Sequence, residues 1–253
     1  MSAALSWLKR GLGLLLLLLT GPAVAAIAGI ADLQGDWRTA SRDAVGIAPD
    51  PALVHEPVLQ VYGARTFGWR GAFAVHTWIA AKRRDAASFT IYQVMGWRYW
   101  HGGTALSVRD GEPDRRWFGA APKLYLDLRG TEVEALIDKV EAAVAAYPFK
   151  DRYRTWPGPN SNSFTAWVAR QVPELRLELP PTAVGKDYLG AGLGLSSIVA
   201  AAPSGTGYQL SLFGLVGLLA AVEEGLEINL FGLSFGLDPL DLAVKLPGLG
   251  RLP

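Results

Sequence analysis

Two residues of this chain have the type and the setting for acyl-transfer chemistry, Ser161 and His76. Ser161 lies in the stretch from Trp156 to Val172, WPGPNSNSFTAWVARQV, with Asn160 and Asn162 on either side. Pro157, Gly158 and Pro159 cannot belong to a helix interior, whereas Phe164, Trp167, Val168 and Val172 recur at helical spacing until Pro173 stops the run. The serine is therefore expected at or just before a helix N-terminus. A hydroxyl there is either an N-cap or a nucleophile facing a cleft, where unpaired N–H groups of the first turn stabilise an oxyanion. His76 sits in FAVHTWIA, where Phe73, Val75, Thr77 and Ile79 alternate with Ala74, His76, Trp78 and Ala80. Period two predicts a strand that carries His76 beside Trp78 on one face. The imidazole is either a core group satisfied by a hydrogen bond or a general base.

Composition removes other chemistries. The chain has no cysteine, so a disulfide framework, a thiolate metal site and a cysteine nucleophile are all excluded. Its three histidines, His55, His76 and His101, show no HExxH or paired spacing, so neither a zinc site nor another cofactor is expected. Net charge is +1, and the pairs Arg83-Arg84 and Arg115-Arg116 have acids nearby. Such pairs read as a solvated face and not as a nucleic-acid surface. Between residues 96 and 119, Trp97, Trp100 and Trp117 alternate with Arg98, His101, Arg115 and Arg116. Guanidinium stacked on indole would line a groove for a sugar or peptide; the alternative is that these tryptophans are core.

The elements that must position the pair read as α+β. From Pro57 onward, VLQVYGAR, FAVHTWIA, SFTIYQVM and KLYLDL are rich in β-branched and aromatic residues and are separated by turn-forming or charged stretches. These four runs predict one mainly antiparallel sheet. The clearest helix follows in TEVEALIDKVEAAVAAYP, with Thr131 and Glu134 as a capping box. Val133, Leu136, Ile137, Val140, Val144 and Tyr147 form its apolar stripe, which should pack on the sheet.

Both ends of the chain are apolar. The N-terminus has a basic MSAALSWLKR and then GLGLLLLLLTGPAVAAIAGIA, uncharged through Ala31 and of about membrane-spanning length. Gly21-Pro22 breaks the leucine run and Ala23-Val24-Ala25 resembles a small-residue cleavage site, which favours a cleaved signal peptide, while the absence of charge as far as Ala31 also allows an uncleaved anchor. Lys9 and Arg10 keep the N-terminus cytoplasmic in either case, which places the body across the membrane. Near the C-terminus LSLFGL at 210–215 recurs as INLFGL at 228–233, and a two-stranded apolar hairpin is expected. Such a hairpin must be covered by the core, by a membrane surface or by another copy. The resulting division is 1–31 as signal peptide or anchor, 32–56 as a lead-in, 57–187 as an α+β core and 188–253 as an apolar extension.

The order strand histidine, further strands, helix, then Asn160-Ser161-Asn162-Ser163-Phe164 opening another helix resembles the circularly permuted papain-like fold of the PPPDE peptidases and lecithin:retinol acyltransferase relatives. In those families a strand histidine precedes an Asn-Cys motif that begins a helix. The resemblance maps His76 onto the base and Ser161 onto the nucleophile position. More broadly, GIAPDPA, FGWRGAFAVHTWIA, WPGPNSNSFTAW, GKDYL at 185–189, PSGTG at 203–207 and FGLSFGLDP look like the bacterial family called domain of unknown function 3750, which carries no assigned activity.

A serine in place of the cysteine must lose its proton to the base during attack, so base, orienter and oxyanion donors have to be preorganised. Gln93, on the strand after His76, is the expected orienter, although alternation also permits Tyr92 on the other face. Asn160 or Asn162 is the expected oxyanion contact, with Trp78, Trp97 and Arg98 lining the site. The leading expectation is a hydrolase or acyltransferase acting on an amide or ester of a small molecule or peptide. The competing one is a non-catalytic envelope scaffold or binding module in which Ser161 is only an N-cap.

Overall fold

A computed structural model of the chain describes residues 3–253. It contains four α-helices and two antiparallel sheets, an α+β fold. The first sheet is built from β1 (Val58–Arg65), β2 (Val75–Lys82), β3 (Phe89–Val94), β4 (Leu106–Gly111) and β5 (Lys123–Arg129), in the order β4-β3-β2-β1-β5. The two central strands, β1 and β2, are buried along almost their whole length, which is why their sequences are apolar on both alternating sets. Leu59, Val61, Val75 and Ile79 face a core shared with the helices, while Val58, Tyr62, Trp78 and Ala80 face a second cluster closed by Val54, Trp117 and Ala120.

Helices α3 (Val133–Ala145) and α4 (Ser161–Gln171) cover the first of these faces. Ile137, Val140, Phe164 and Val168 are fully buried there, each worth roughly 1.5–3 kcal/mol relative to exposure. The α3 stripe is the one its periodicity predicts, but the capping box is not. Glu132 is the N-cap residue and makes no side-chain cap bond. Glu134 instead accepts from Arg83, which also bonds Asp138 and Glu141, so the acids of this helix bind the residue that follows β2. A short helix α2 (Gly96–Trp100) links β3 to β4. Strand β4 is an edge with charged and exposed positions, LSVRDG, and for that reason lacks the apolar signature of its neighbours.

The C-terminal region is β, and it is larger than a hairpin. Strands β6 (Val199–Ala201), β7 (Gly207–Leu212), β8 (Val216–Ala221), β9 (Gly225–Leu230), β10 (Leu233–Asp238), β11 (Ala243–Leu246) and β12 (Gly250–Leu252) form one meander in chain order. The two repeats LSLFGL and INLFGL therefore do not pair with each other, because β8 lies between β7 and β9 and pairs with both. Their shared Phe-Gly is a turn and not part of a strand. Phe213 and Gly214 have φ of 57° and 73°, and Phe231 and Gly232 have φ of 54° and 84°. Two successive positive φ values match the hairpin turn that twists with its strands, a place where Asn-Gly is usual and Phe is rare.

Helix α1 (Ala3–Ile27) contains a 23-residue apolar span, Leu5–Ile27, long enough to cross a membrane. Leu18, Gly21, Pro22 and Ala25 are buried, a helical spacing, while most of the preceding leucines are exposed. This face seats on the turn between β11 and β12. A Cβ at Gly248, whose φ is +71°, would stand 2.7 Å from Pro22 Cα and 2.8 Å from the Ala72 carbonyl oxygen.

Candidate functional site

The N-terminus of α4 is held by three of the four residues Asn160-Ser161-Asn162-Ser163. Asn160 is the N-cap: its Oδ1 accepts from the Asn162 and Ser163 N–H groups, and its Nδ2 donates to the Thr155 and Val184 carbonyls, each at 3.0 Å. Asn162 Nδ2 donates to the carbonyls of Val75 at 2.9 Å and Val184 at 2.8 Å, pinning the helix to the start of β2. Ser163 Oγ donates to the Gly185 carbonyl at 2.7 Å and accepts from the Asn160 N–H at 3.2 Å. Thr77 completes the seat, its hydroxyl lying 2.9 Å from both Asn162 Oδ1 and Thr165 Oγ1.

Ser161 is the residue left over. It is the first residue of the helix and not its cap, so the N-cap role passes to Asn160. Its hydroxyl has no protein hydrogen-bond partner among the described residues and is not sealed from solvent. Asn160, Asn162, Ser163 and Phe164 all have their N–H groups bonded, which leaves the Ser161 N–H as the unspent donor of the first turn. The expected oxyanion role of Asn160 and Asn162 side chains needs correction. Both protons of each amide are already committed to backbone carbonyls, so these residues line the site but have no donor to offer.

His76 is buried, and its Nε2 lies 3.1 Å from Gln93 Oε1. With that oxygen accepting, the proton sits on Nε2, and Nδ1 carries the lone pair. Nδ1 has no protein partner and is not sealed. The contact settles the face of β3: Gln93 meets the histidine, whereas Tyr92 points the other way and donates to Glu141 at 2.9 Å. The ring stacks on Trp117 at 3.6 Å between centroids, with Trp78 5.8 Å away. Burial pushes the imidazole pKa down to about 4, against a smaller opposing effect of the Gln93 bond. The ring is therefore neutral at neutral pH.

Ser161 and His76 border one cavity of about 270 Å³. They reach it from opposite faces of β2, since Thr77 points to α4 and its neighbour His76 points to Trp117. Pairing of β2 with β3 covers only Ile79–Ala81 and Thr90–Tyr92, so β3 is not in register beside His76 and the sheet is open there. No hydrogen bond joins the serine to the histidine; the ring's bond is to Gln93. The cavity walls are aromatic, with Trp69, Phe73, Tyr153, Trp156 and Phe231, and Arg70 brings a cation.

Three expected lining residues do not line this cavity. Trp97 and Arg98 lie on α2, where Trp97 is half-exposed and Arg98 Nε donates to the Thr104 carbonyl. Trp78 packs in the core behind His76 and donates its indole N–H to the Pro113 carbonyl at 2.7 Å. The residues that take their place are only partly visible in the sequence. Trp156 opens the Pro/Gly turn, but nothing local marks Arg70, Tyr153 or Phe231 as lining residues. Trp117, from the aromatic-arginine loop, stacks on His76 and is not part of the cavity wall.

The stretch GKDYL ties this site to the second sheet. The Gly185 carbonyl receives Ser163, and the next two residues enter a buried charged layer under β7, β9 and β11. Lys186 Nζ bonds Glu227 at 2.5 Å, Asp187 takes Asn229 at 2.8 Å and Gln209, and Lys245 bonds Glu227 at 2.8 Å. Burial opposes charge on Lys186, yet Glu227 and Asp187 beside it hold its pKa above the ordinary value. Half-buried Arg170, brought down to about 10 by desolvation, donates to the Lys186 carbonyl and to Gln209.

No curated protein and no solved structure matches the chain. A family model described as "Protein of unknown function (DUF3750)" matches residues 56–188, which include His76, Gln93, Asn160, Ser161, Asn162 and the Lys186-Asp187 pair. Because this match spans more than half of the 253 residues, the chain belongs to the DUF3750 family.

Proposed function

We propose that this chain is a membrane-anchored enzyme of the bacterial envelope that transfers or hydrolyses an acyl group through Ser161. One observation carries the reading: within Asn160-Ser161-Asn162-Ser163, the serine alone has both its hydroxyl and its N–H unspent, and it opens onto the cavity that His76 also borders. In the reaction, Ser161 Oγ attacks the carbonyl carbon of an amide or ester while His76 Nδ1 takes the hydroxyl proton. The Ser161 N–H bonds the developing oxyanion. The imidazolium returns the proton to the departing amine or alcohol, leaving an acyl-serine that water or a second acceptor resolves. Gln93 holds the ring through Nε2. Arg70 and the aromatic walls favour a substrate with an anionic group beside an apolar one. The order of strand base, orienting amide and helix-opening nucleophile supports the likeness to the permuted papain-like fold within a core of residues 57–187, between the lead-in 32–56 and the extension 188–253.

The anchor is α1, retained after export. Leu18, Gly21, Pro22 and Ala25 pack on the body, with Ala25 in a cluster with Ala31 and Ala72, which supports docking over cleavage at this small-residue stretch. A second reading, a binding module without catalysis, is favoured by the stacking of His76 on Trp117 with no bond to Ser161. The two separate on treatment of residues 32–253 and of the full chain with a fluorophosphonate probe, mapped by peptide mass spectrometry. Catalysis predicts an adduct on Ser161 that is lost in Ser161→Ala and slowed at least about a hundredfold in His76→Ala, the usual scale for a general base. Labelling that persists at wild-type rate in both variants refutes the site.

A further inference from the structure

We propose that the outer face of the C-terminal sheet is a trough for the acyl chains of membrane lipid. This sheet is inside out. In a half-solvated antiparallel sheet the apolar set of alternating residues faces the core. Here Gln209, Glu227, Asn229, Ser234, Asp238 and Lys245 point inward and are buried. The register places Leu210 opposite Leu218, Leu218 opposite Ile228 and Ile228 opposite Phe235, an unbroken apolar rung across four strands on the outward side. Leu210, Leu218 and Ile228 are about half-exposed, as are Leu226 and Leu237 on the next rung. Arg251 does not interrupt this face, because it pairs opposite Lys245 and turns its guanidinium to Asp238 and Asp241.

A continuous apolar surface of this extent marks a binding site on a folded protein. It is also concave, enclosing an apolar trough of about 740 Å³ between Leu210, Leu218, Ile228, Phe235 and Leu237. That volume lies within the roughly 300–1,000 Å³ of small-molecule sites. Glu227 and Lys245 border the trough but are buried and bonded to each other at 2.8 Å, and apart from Tyr208 the other lining residues are apolar, which suits a hydrocarbon chain whose head stays outside. Helix α1 identifies the source. Its apolar span has membrane-crossing length, and its last turns seat on Pro247, Gly248 and Leu249, the turn between β11 and β12 of this same sheet. The sheet is thereby held beside the point where α1 leaves the bilayer. The inference rests on α1 lying in that bilayer and is independent of any reaction at Ser161.

The test uses the full chain reconstituted into phosphatidylethanolamine–phosphatidylglycerol vesicles containing trace phospholipid with a photoreactive diazirine midway along one acyl chain. Irradiation and peptide mapping should give lipid adducts on α1 and on β7 to β10. Ile228→Glu, at an outward and half-exposed position, should abolish the strand adducts while leaving those on α1 and the circular dichroism spectrum unchanged. Adducts on α1 with none on the strands overturn the trough. Strand adducts that survive Ile228→Glu overturn it too, and adducts on neither element overturn the anchoring on which it rests.

Discussion

Lowering the pH should destabilise this protein through His76 by an amount that the structure fixes. The imidazole is buried, has one hydrogen bond and has its pKa depressed to about 4, whereas an unfolded histidine titrates near 6.5. A depressed pKa means that the unfolded chain takes up the proton first. The stability contributed by the neutral ring is thus complete above about pH 6.5 and is lost as pH falls toward 4. At about 1.4 kcal/mol per unit, the loss between pH 7 and pH 4 is roughly 3 kcal/mol. His76→Phe keeps an aromatic ring against Trp117 but cannot titrate, and the Gln93 amide it leaves unpaired costs the same at every pH. Urea unfolding of both proteins at half-unit steps from pH 7 to pH 4 isolates the effect, since carboxylate titration cancels in the difference. The wild type should lose roughly 3 kcal/mol more than the variant across the window. A difference that stays flat would show that the ring is solvated and would remove the basis for a base that stays neutral down to about pH 4.

The buried charged layer and the turn before α4 give two further expectations. Glu227→Ala leaves Lys186 without its carboxylate partner and Lys245 with one fewer, at a cost of roughly 3–5 kcal/mol in urea unfolding, whereas Glu174→Ala, which removes only the exposed pair with Lys139, should cost about 1 kcal/mol or less. Gly158→Ala puts a Cβ 2.7 Å from Ser163 Oγ and 2.8 Å from Tyr188 Cβ at φ +142°, so it should lower thermal stability and disturb the Ser161 turn together, while Ser161→Ala, which removes no hydrogen bond, should leave the melting temperature nearly unchanged.

The sequence was most legible where one signal dominated locally. Val58–Arg65 and Val75–Lys82 are apolar on both alternating sets because both faces are covered, and α3 keeps a strict stripe because only one face is. The helix start at Ser161 follows from Pro157, Gly158 and Pro159, whereas alternation leaves Gln93 and Tyr92 equally open, and only the bond to His76 settles the face. Assignments that depend on two distant partners were lost. That Asn160 caps the helix while Asn162 is tied to Val75 and Val184 is invisible in a motif where either polar residue can cap. The C-terminal sheet was underestimated because Phe213 and Phe231 occupy left-handed turn positions that sequence reasoning assigns to Asn or Gly. Arg83 likewise drew Glu134 away from the cap it was expected to form.

The central claim, that Ser161 and His76 act on one substrate, turns on whether a bound group brings them together across β2. A crystal structure of the protein after reaction with a fluorophosphonate measures this directly. The account predicts phosphonate on Ser161 Oγ, one oxygen on the Ser161 N–H and another within hydrogen-bond reach of His76 Nδ1, with Gln93 still on Nε2. An unmodified Ser161, or an adduct that His76 does not touch while it remains stacked on Trp117, would contradict it.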